Sequence, residues 1–136
     1  MVPISIAYKG ELRCIATHDR SGVQCITDAP TDNQGKGESF SPTDLVATAL
    51  GACMITTMGI AAQRDGVELA GTTIAIEKHM SAIPPRKIAT LVAKLAMAAG
   101  IPKEYRGKTE SIGNNCPVIK SLHPDIELDI QFSYPD

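Results

Sequence analysis

The stretch "SPTDLVATALGACMITTMGIAAQRDG", residues 41–66, has no charged residue or histidine between Leu45 and Ala62 and places Cys53 near its middle. Such a run can cross a membrane, form a buried helix of a soluble protein, or support a reactive thiol. The fold and the function both depend on which of these applies.

The ends of this stretch carry helix signals. Ser41 is a good N-cap, Pro42 suits the first helical position, and Asp65-Gly66 is a typical helix end. They predict a helix from Pro42 to about Arg64. The 18 uncharged residues are borderline for a membrane span, which needs about 20. Five alanines, two glycines and three threonines suit packing against protein, so we interpret a core helix and expect no membrane span.

Short strands are predicted on both sides of the helix. Residues 2–8 alternate apolar and polar, and residues 11–28 read as two strands joined by a turn at Asp19-Arg20-Ser21-Gly22. Residues 126–134, "IELDIQFSY", alternate most clearly. Strands, one long helix and further strands without regular alternation predict the α+β class. The length of 136 residues predicts one domain, 1–136.

The region between the long helix and the last strand is less clear. Residues 71–80 read as a strand, and a short helix is predicted from Pro102 to Asn114. Residues 86–98 fit both a helix face and strand alternation, and the pattern alone favours a helix.

Composition and charge exclude some classes of function. The net charge is −2 and aromatic residues make up 4% of the chain, so we expect no nucleic-acid partner. The first residues, "MVPISIAYKG", lack a basic start followed by a long apolar stretch, so we expect no secretory signal. With four cysteines, this predicts a reducing, cytoplasmic location.

The four cysteines differ in their local sequence. Cys14 and Cys25 flank the predicted turn and are interpreted as small buried residues. Cys53 lies about three turns inside an apolar helix, where burial raises a thiol pKa, so its local sequence favours a structural role. Cys116 precedes Pro117 and is predicted near the N-cap of a short helix, where thiolate is favoured.

Metal and phosphate sites have no recognisable motif. The chain has no C-x-x-C, and its three histidines are far apart in sequence. We therefore expect no metal and no cofactor.

Two stretches together resemble the OsmC/Ohr family of osmotically inducible and organic hydroperoxide resistance proteins. They are "SPTDLVATALGACM" and, 63 residues after its cysteine, "NNCPVIKSL". The resemblance implies antiparallel sheets around a long buried central helix, and an intertwined homodimer with active sites at its interface. It also implies that residues 86–98 form a strand, and we adopt that prediction.

The resemblance further implies a thiol peroxidase. Cys53 would attack an organic hydroperoxide and become a sulfenic acid, and Cys116 would resolve it to a disulfide. An external dithiol, in this family often a lipoylated protein, would reduce the disulfide. The apolar neighbours Ala49, Leu50 and Met54 suit an organic substrate.

Ionising Cys53 requires a cation, which the family takes from an arginine of the N-terminal strands. Arg13 is the candidate and Arg20 the second choice. The family glutamate that holds this arginine is replaced here by Thr43. The adjacent Asp44 is either a substitute orienter or part of the helix N-terminus.

Two other functions are consistent with the sequence. One is a non-enzymatic module that binds an apolar ligand. The other is a thiol-dependent acyl hydrolase with Cys53 as nucleophile and His79 or His123 as base.

Overall fold

The computed structural model describes residues 1–135. These residues divide into two compact units, Met1–Val46 and the chain from Ala47 onward. The boundary falls within the long helix. Two compact units can belong to one domain, so the prediction of a single domain over residues 1–136 stays a prediction.

The first unit is a three-stranded antiparallel sheet with the strand order β1 (Ile4–Gly10), β2 (Arg13–His18) and β3 (Gln24–Asp28). The predicted turn between β2 and β3 is confirmed. It closes with a bond from the Gly22 amide to the His18 carbonyl at 2.7 Å, and Gly22 has the positive φ of 76° that favours glycine there. The loop that follows β3 runs back alongside this strand, and Phe40 forms an isolated β-bridge with Thr27.

One face of this sheet carries exposed apolar side chains on β1. On β1, Ile4, Ile6 and Tyr8 are 62%, 69% and 65% exposed. Cross-strand pairing places Cys14 and Ala16 on the same face. Three large apolar side chains along one exposed strand face are typical of a surface that another protein covers.

The helix α1 (Pro42–Arg64) is confirmed, with the predicted ends. At its start, the Ser41 amide donates to Asp44 Oδ2 at 2.8 Å and the Asp44 amide donates to Ser41 Oγ at 3.1 Å, which is a capping box. At its end, the Val67 amide donates to the Ala62 carbonyl at 2.9 Å, and Gly66 has a φ of 71°, as in a Schellman motif.

One side of α1 forms the core of the second unit. A Cβ atom at Gly51 would lie 3.2 Å from Ile76 Cγ1 and 3.3 Å from Ile74 Cγ2, so the glycine permits close approach to the sheet. The buried helix residues are Ala47, Leu50, Gly51, Met54, Met58, Ala61 and Ala62. By length and composition alone α1 is able to cross a membrane, but these properties are equally those of a core helix.

The second sheet has the order β4 (Thr73–Met80), β5 (Ile88–Ala96) and β6 (Glu127–Ser133). β4 and β5 are antiparallel. The predicted α+β class with antiparallel pairing is confirmed for β1–β3 and for β4–β5, whereas β6 runs parallel to β5, so that the second sheet is mixed. Parallel neighbours need a long crossover connection, and the two short helices between β5 and β6 belong to it.

The strand prediction for residues 86–98 is confirmed, and the helical pattern there was misleading. Ile88 and Leu91 are both buried although they are three residues apart. The cause is a shift in pairing, since His79 pairs with Thr90 and Met80 pairs with Ile88. One extra residue in β5 therefore produces a spacing that resembles a helix face.

The predicted helix from Pro102 to Asn114 is present as a short 3₁₀ turn followed by α2 (Arg106–Gly113). Tyr105 Oη and Lys108 Nζ both donate to Asp65 Oδ2, at 2.8 and 2.7 Å, and so tie this region to the end of α1. Gly113 lies against Met58. These contacts hold α3 (Pro117–Ser121), which follows α2, close to the middle of α1.

Candidate functional site

The two predicted site cysteines meet in the second unit. Cys53 lies midway along α1 and is half-buried, whereas Cys116 is fully buried and is the N-cap residue of α3. The Cys116 thiol donates a hydrogen bond to the Cys53 sulfur. Both thiols are free, so the pair is a reduced dithiol in direct contact.

The surroundings of Cys53 stabilise a thiolate. Burial acts to raise the Cys53 pKa, but the Val118 amide, the Thr57 hydroxyl and the Cys116 thiol form hydrogen bonds with its sulfur. The distance from Cys53 Sγ to Thr57 Oγ1 is 3.7 Å. These bonds outweigh burial, and the Cys53 pKa lies below its ordinary value.

The surroundings of Cys116 have the opposite effect. Burial raises the Cys116 pKa. Hydrogen bonds from the backbone amides of Ile119 and Val118 lower it, but they offset only part of the effect of burial. The bond to Cys53 and the charge of a Cys53 thiolate raise it further. One sulfur of the pair is therefore disposed to be an anion and the other to keep its proton.

These pKa directions are the reverse of those expected from local sequence. Cys53 was expected to have a raised pKa inside an apolar helix, but Val118 and Cys116 reach it from 63 residues or more along the chain. Cys116 does occupy the predicted N-cap. Its complete burial, however, raises its pKa by more than the single turn of α3 lowers it.

Arg13, in the first unit, is held by two carboxylates. Its Nε and Nη2 atoms donate to Asp28 at 2.7 and 2.8 Å, and Nη2 also donates to Glu38 at 3.1 Å. Asp28 is 1% exposed, and the bonds from Arg13 hold the Asp28 pKa below its usual range. The Glu38 amide donates to Asp28 as well, at 3.1 Å.

The two possible orienting residues, Asp44 and Thr43, and the second-choice cation, Arg20, have different surroundings. Asp44 forms the capping box of α1, and the Thr43 hydroxyl lies 3.2 Å from Ser41 Oγ. Arg20 lies in the β2–β3 turn and donates to the Met1 carbonyl at 2.8 Å.

Asp28 and Glu38 were missed from the sequence, although a signal for Asp28 was present. The predicted turn at Asp19–Gly22 already pairs position 13 with position 28, as the structure shows. Opposite charges at such a cross-strand pair predict an ion pair. Glu38 lies in an irregular loop, where no pattern predicts its position.

Several other predicted residues are buried or have hydrogen-bond partners other than Cys53. Leu50 and Met54 are 0% exposed, so only Ala49 of the three apolar neighbours is available to a substrate. His79 bonds to Glu77 at 3.3 Å and His123 accepts from the Asp125 amide at 3.0 Å. Within residues 1–135, neither histidine is among the hydrogen-bond partners of Cys53.

The remaining cysteines and the acidic residues form no second centre of this kind. Cys14 and Cys25 are free and half-buried in the first sheet, rather than buried as predicted. Across the described chain, no three His, Cys, Asp or Glu side chains are grouped to hold a metal ion.

Comparison with known proteins identifies relatives of the whole chain. A family model described as OsmC-like protein matches residues 35–131. A solved structure from Psychrobacter arcticus 273-4, described as an osmotic stress induced and detoxification response protein, is 40% identical. It has a TM-score of 0.92, and the match covers 98% of this chain and 96% of that one. A search of curated proteins gives no significant match.

More distant solved structures share the fold. The organic hydroperoxide resistance protein OsmC of Legionella pneumophila is 12% identical with a TM-score of 0.77, over 98% of this chain and 96% of that one. The organic hydroperoxide resistance protein OhrB of Bacillus subtilis is 13% identical with a TM-score of 0.69, over 98% of each chain.

Proposed function

Because the chain belongs to the OsmC-like family, we propose that it is a thiol-dependent peroxidase that reduces organic hydroperoxides through Cys53 and Cys116. The family and its hydroperoxide resistance members support a role in peroxide stress. The observation that carries the specific chemistry is the Cys53–Cys116 contact, with one thiol pKa lowered and the other raised.

The proposed reaction has three balanced steps. The Cys53 thiolate attacks one peroxide oxygen, the O–O bond breaks, and the departing alkoxide takes a proton to leave as an alcohol. The Cys116 thiol then attacks the sulfenic acid on Cys53, which forms a disulfide and releases water. An external dithiol reduces the disulfide by two thiol–disulfide exchanges and becomes oxidised itself. A lipoylated protein is the proposed source of that dithiol.

The two pKa directions suit this order. A thiolate is the nucleophile in peroxide reduction, so the sulfur with the lowered pKa is the better attacking group. A buried neighbour that keeps its proton does not compete for the peroxide, yet it lies in contact with the sulfenic acid when that forms. Cys53 is therefore proposed to attack and Cys116 to resolve.

Arg13 is proposed as the cation that assists the Cys53 thiolate. The bidentate bond to Asp28 and the additional bond to Glu38 fix its guanidinium, which would reduce the entropy lost when the site orders. In this chain these two carboxylates take the orienting role that was predicted for position 43 or 44.

A homodimer is proposed as the working form. The exposed Ile4, Ile6 and Tyr8 of the first sheet suit burial against a second copy. The outer side of α1 has no charged residue from Leu45 to Gln63, and Ala49, Ala52 and Ile60 on it are exposed. We further propose a cytoplasmic location, where cellular dithiols keep such a pair reduced.

A coupled turnover assay tests the proposal. Cumene hydroperoxide is supplied with dihydrolipoamide as reductant, and peroxide loss is followed for the wild type, Cys53→Ser, Cys116→Ser and the control Cys14→Ser. We expect sustained turnover in the wild type and Cys14→Ser and none in Cys53→Ser. Wild-type turnover in Cys53→Ser would exclude the mechanism. If the wild type and all three variants are inactive but still bind an apolar ligand, the non-enzymatic module would be favoured.

A further inference from the structure

We infer that Thr57 is a further catalytic residue of the thiol site, whose hydroxyl donates a hydrogen bond that holds the Cys53 sulfur in its thiolate form. Its catalytic meaning rests on the proposed peroxidase function. The contact itself is independent of that function and can be tested without a peroxide.

The helix geometry brings the two side chains together. Thr57 follows Cys53 by four residues on α1, and residues at this spacing lie on the same face, one turn apart. Their Oγ1 and Sγ atoms are 3.7 Å apart, and both residues are half-buried. This distance is within hydrogen-bonding range for sulfur, which is larger than oxygen.

The direction of this bond depends on the charge of the sulfur. A neutral thiol is a weak donor and a weak acceptor, whereas a thiolate is an anion that only accepts. A hydroxyl can rotate to donate to the anion, and a bond to a charged acceptor is stronger than a neutral one. The Val118 amide, which also contacts Cys53, can only donate. Both groups therefore favour the thiolate over the thiol.

Besides Arg13, the cation proposed above, the elements of the second unit supply few other groups for this role. α1 has no charged residue from Leu45 to Ala62, and its N-terminal dipole has faded at the third turn. β4 presents Ile74 and Ile76 to α1. The N-cap and first turn of α3 supply the Cys116 thiol and the Val118 amide to the Cys53 sulfur, and the other titratable group of α3, Lys120, is exposed. Thr57 is the hydroxyl that α1 itself contributes.

The neighbouring residue provides a matched control. Thr56 is exposed and lies about 100° round the helix from Thr57. The change from threonine to valine keeps the shape and removes the hydroxyl at either position. It also alters helix propensity by the same small amount at both sites.

The test measures the ionisation of Cys53 directly. Wild type, Thr57→Val, Thr57→Ser and Thr56→Val are alkylated with iodoacetamide across a pH series, and peptide mass mapping isolates the rate at Cys53. We expect Thr57→Val to move the midpoint of the profile to higher pH and to slow alkylation roughly three- to tenfold at low pH, as for the loss of one hydrogen bond of ordinary net strength. Thr57→Ser and Thr56→Val should keep the wild-type profile.

Two results would overturn the inference. One is an unchanged Cys53 profile in Thr57→Val, and the other is an equal shift in Thr56→Val, which would indicate a general disturbance of α1. If circular dichroism shows that Thr57→Val does not fold, Thr57→Ala is compared with Thr57→Ser, and equal profiles would overturn it. A failure of peroxide turnover, in contrast, would count against the proposed function and leave this result unaffected.

Discussion

The Cys116 thiol donates a hydrogen bond to the sulfur of Cys53, and the pKa of Cys53 is lowered while that of Cys116 is raised. The two cysteines are 63 positions apart in the chain, and α2 and α3 bring them together. The contact thus creates a difference in reactivity that neither cysteine has in its own local sequence.

Alkylation should reveal this difference as a pH dependence. A lowered pKa means that Cys53 stays reactive until the pH falls through a value below the ordinary thiol pKa of about 8.5. A raised pKa means that Cys116 becomes reactive only as the pH rises above that value. We expect iodoacetamide to modify Cys53 well before Cys116 at neutral pH. Peptide mapping of both sites gives the two midpoints, and coincident midpoints would contradict the assignment.

Removal of the carboxylate that holds Arg13 should lower peroxidase activity. Asp28 is buried and makes two bonds to Arg13, whereas the side chain of Glu38 is 64% exposed and makes one. We expect Asp28→Asn to reduce the rate of cumene hydroperoxide reduction roughly ten- to a hundredfold, as misplaced catalytic groups do. Glu38→Gln should have a smaller effect.

Stopped-flow measurement of Cys53 oxidation gives these rates, and circular dichroism establishes that both variants are folded. An equal effect of Asp28→Asn and Glu38→Gln would show that the buried bidentate pair has no special part in placing Arg13. Arg13→Lys, which keeps the charge but not the planar fork, should resemble Asp28→Asn rather than the wild type.

A charge on the apolar face of the first sheet should weaken the proposed dimer. Ile6 is 69% exposed in the single chain, and a buried unpaired glutamate at this position would be strongly unfavourable. We expect Ile6→Glu to raise the dimer dissociation constant roughly a hundredfold or more. Sedimentation equilibrium measures it, with Ala75→Glu on the exposed face of β4 as the control. A monomeric wild type, or an unchanged constant in Ile6→Glu, would contradict the proposed dimer.

Most of the fold could be predicted from local sequence because its signals are local. The capping residues Ser41 and Gly66 mark the ends of α1, and the turn at Asp19–Gly22 sets the pairing of β2 and β3. The helical pattern in β5 was misleading because the pairing shift near Ile88 depends on the neighbouring strand. The parallel position of β6 depends likewise on the crossover connection, which no alternation pattern encodes.

The site was less predictable because its chemistry comes from contacts between distant segments. Local sequence suggested an inert Cys53 and a reactive Cys116, and only the resemblance to the OsmC/Ohr family suggested the opposite order. The effect of Val118 on Cys53 requires knowledge of how α3 packs on α1. The partner of Arg13 on β3, Asp28, could have been found from the predicted turn alone.

The most direct test of the proposed mechanism is intact mass and peptide mapping after one equivalent of cumene hydroperoxide, on the wild type and on Cys116→Ser. We predict that the wild type loses two hydrogens, mapped to a Cys53–Cys116 disulfide, and that dimedone traps a sulfenic acid on Cys53 in the variant. Unmodified thiols in both proteins, or a sulfenic acid on another cysteine, would contradict the proposed peroxidase.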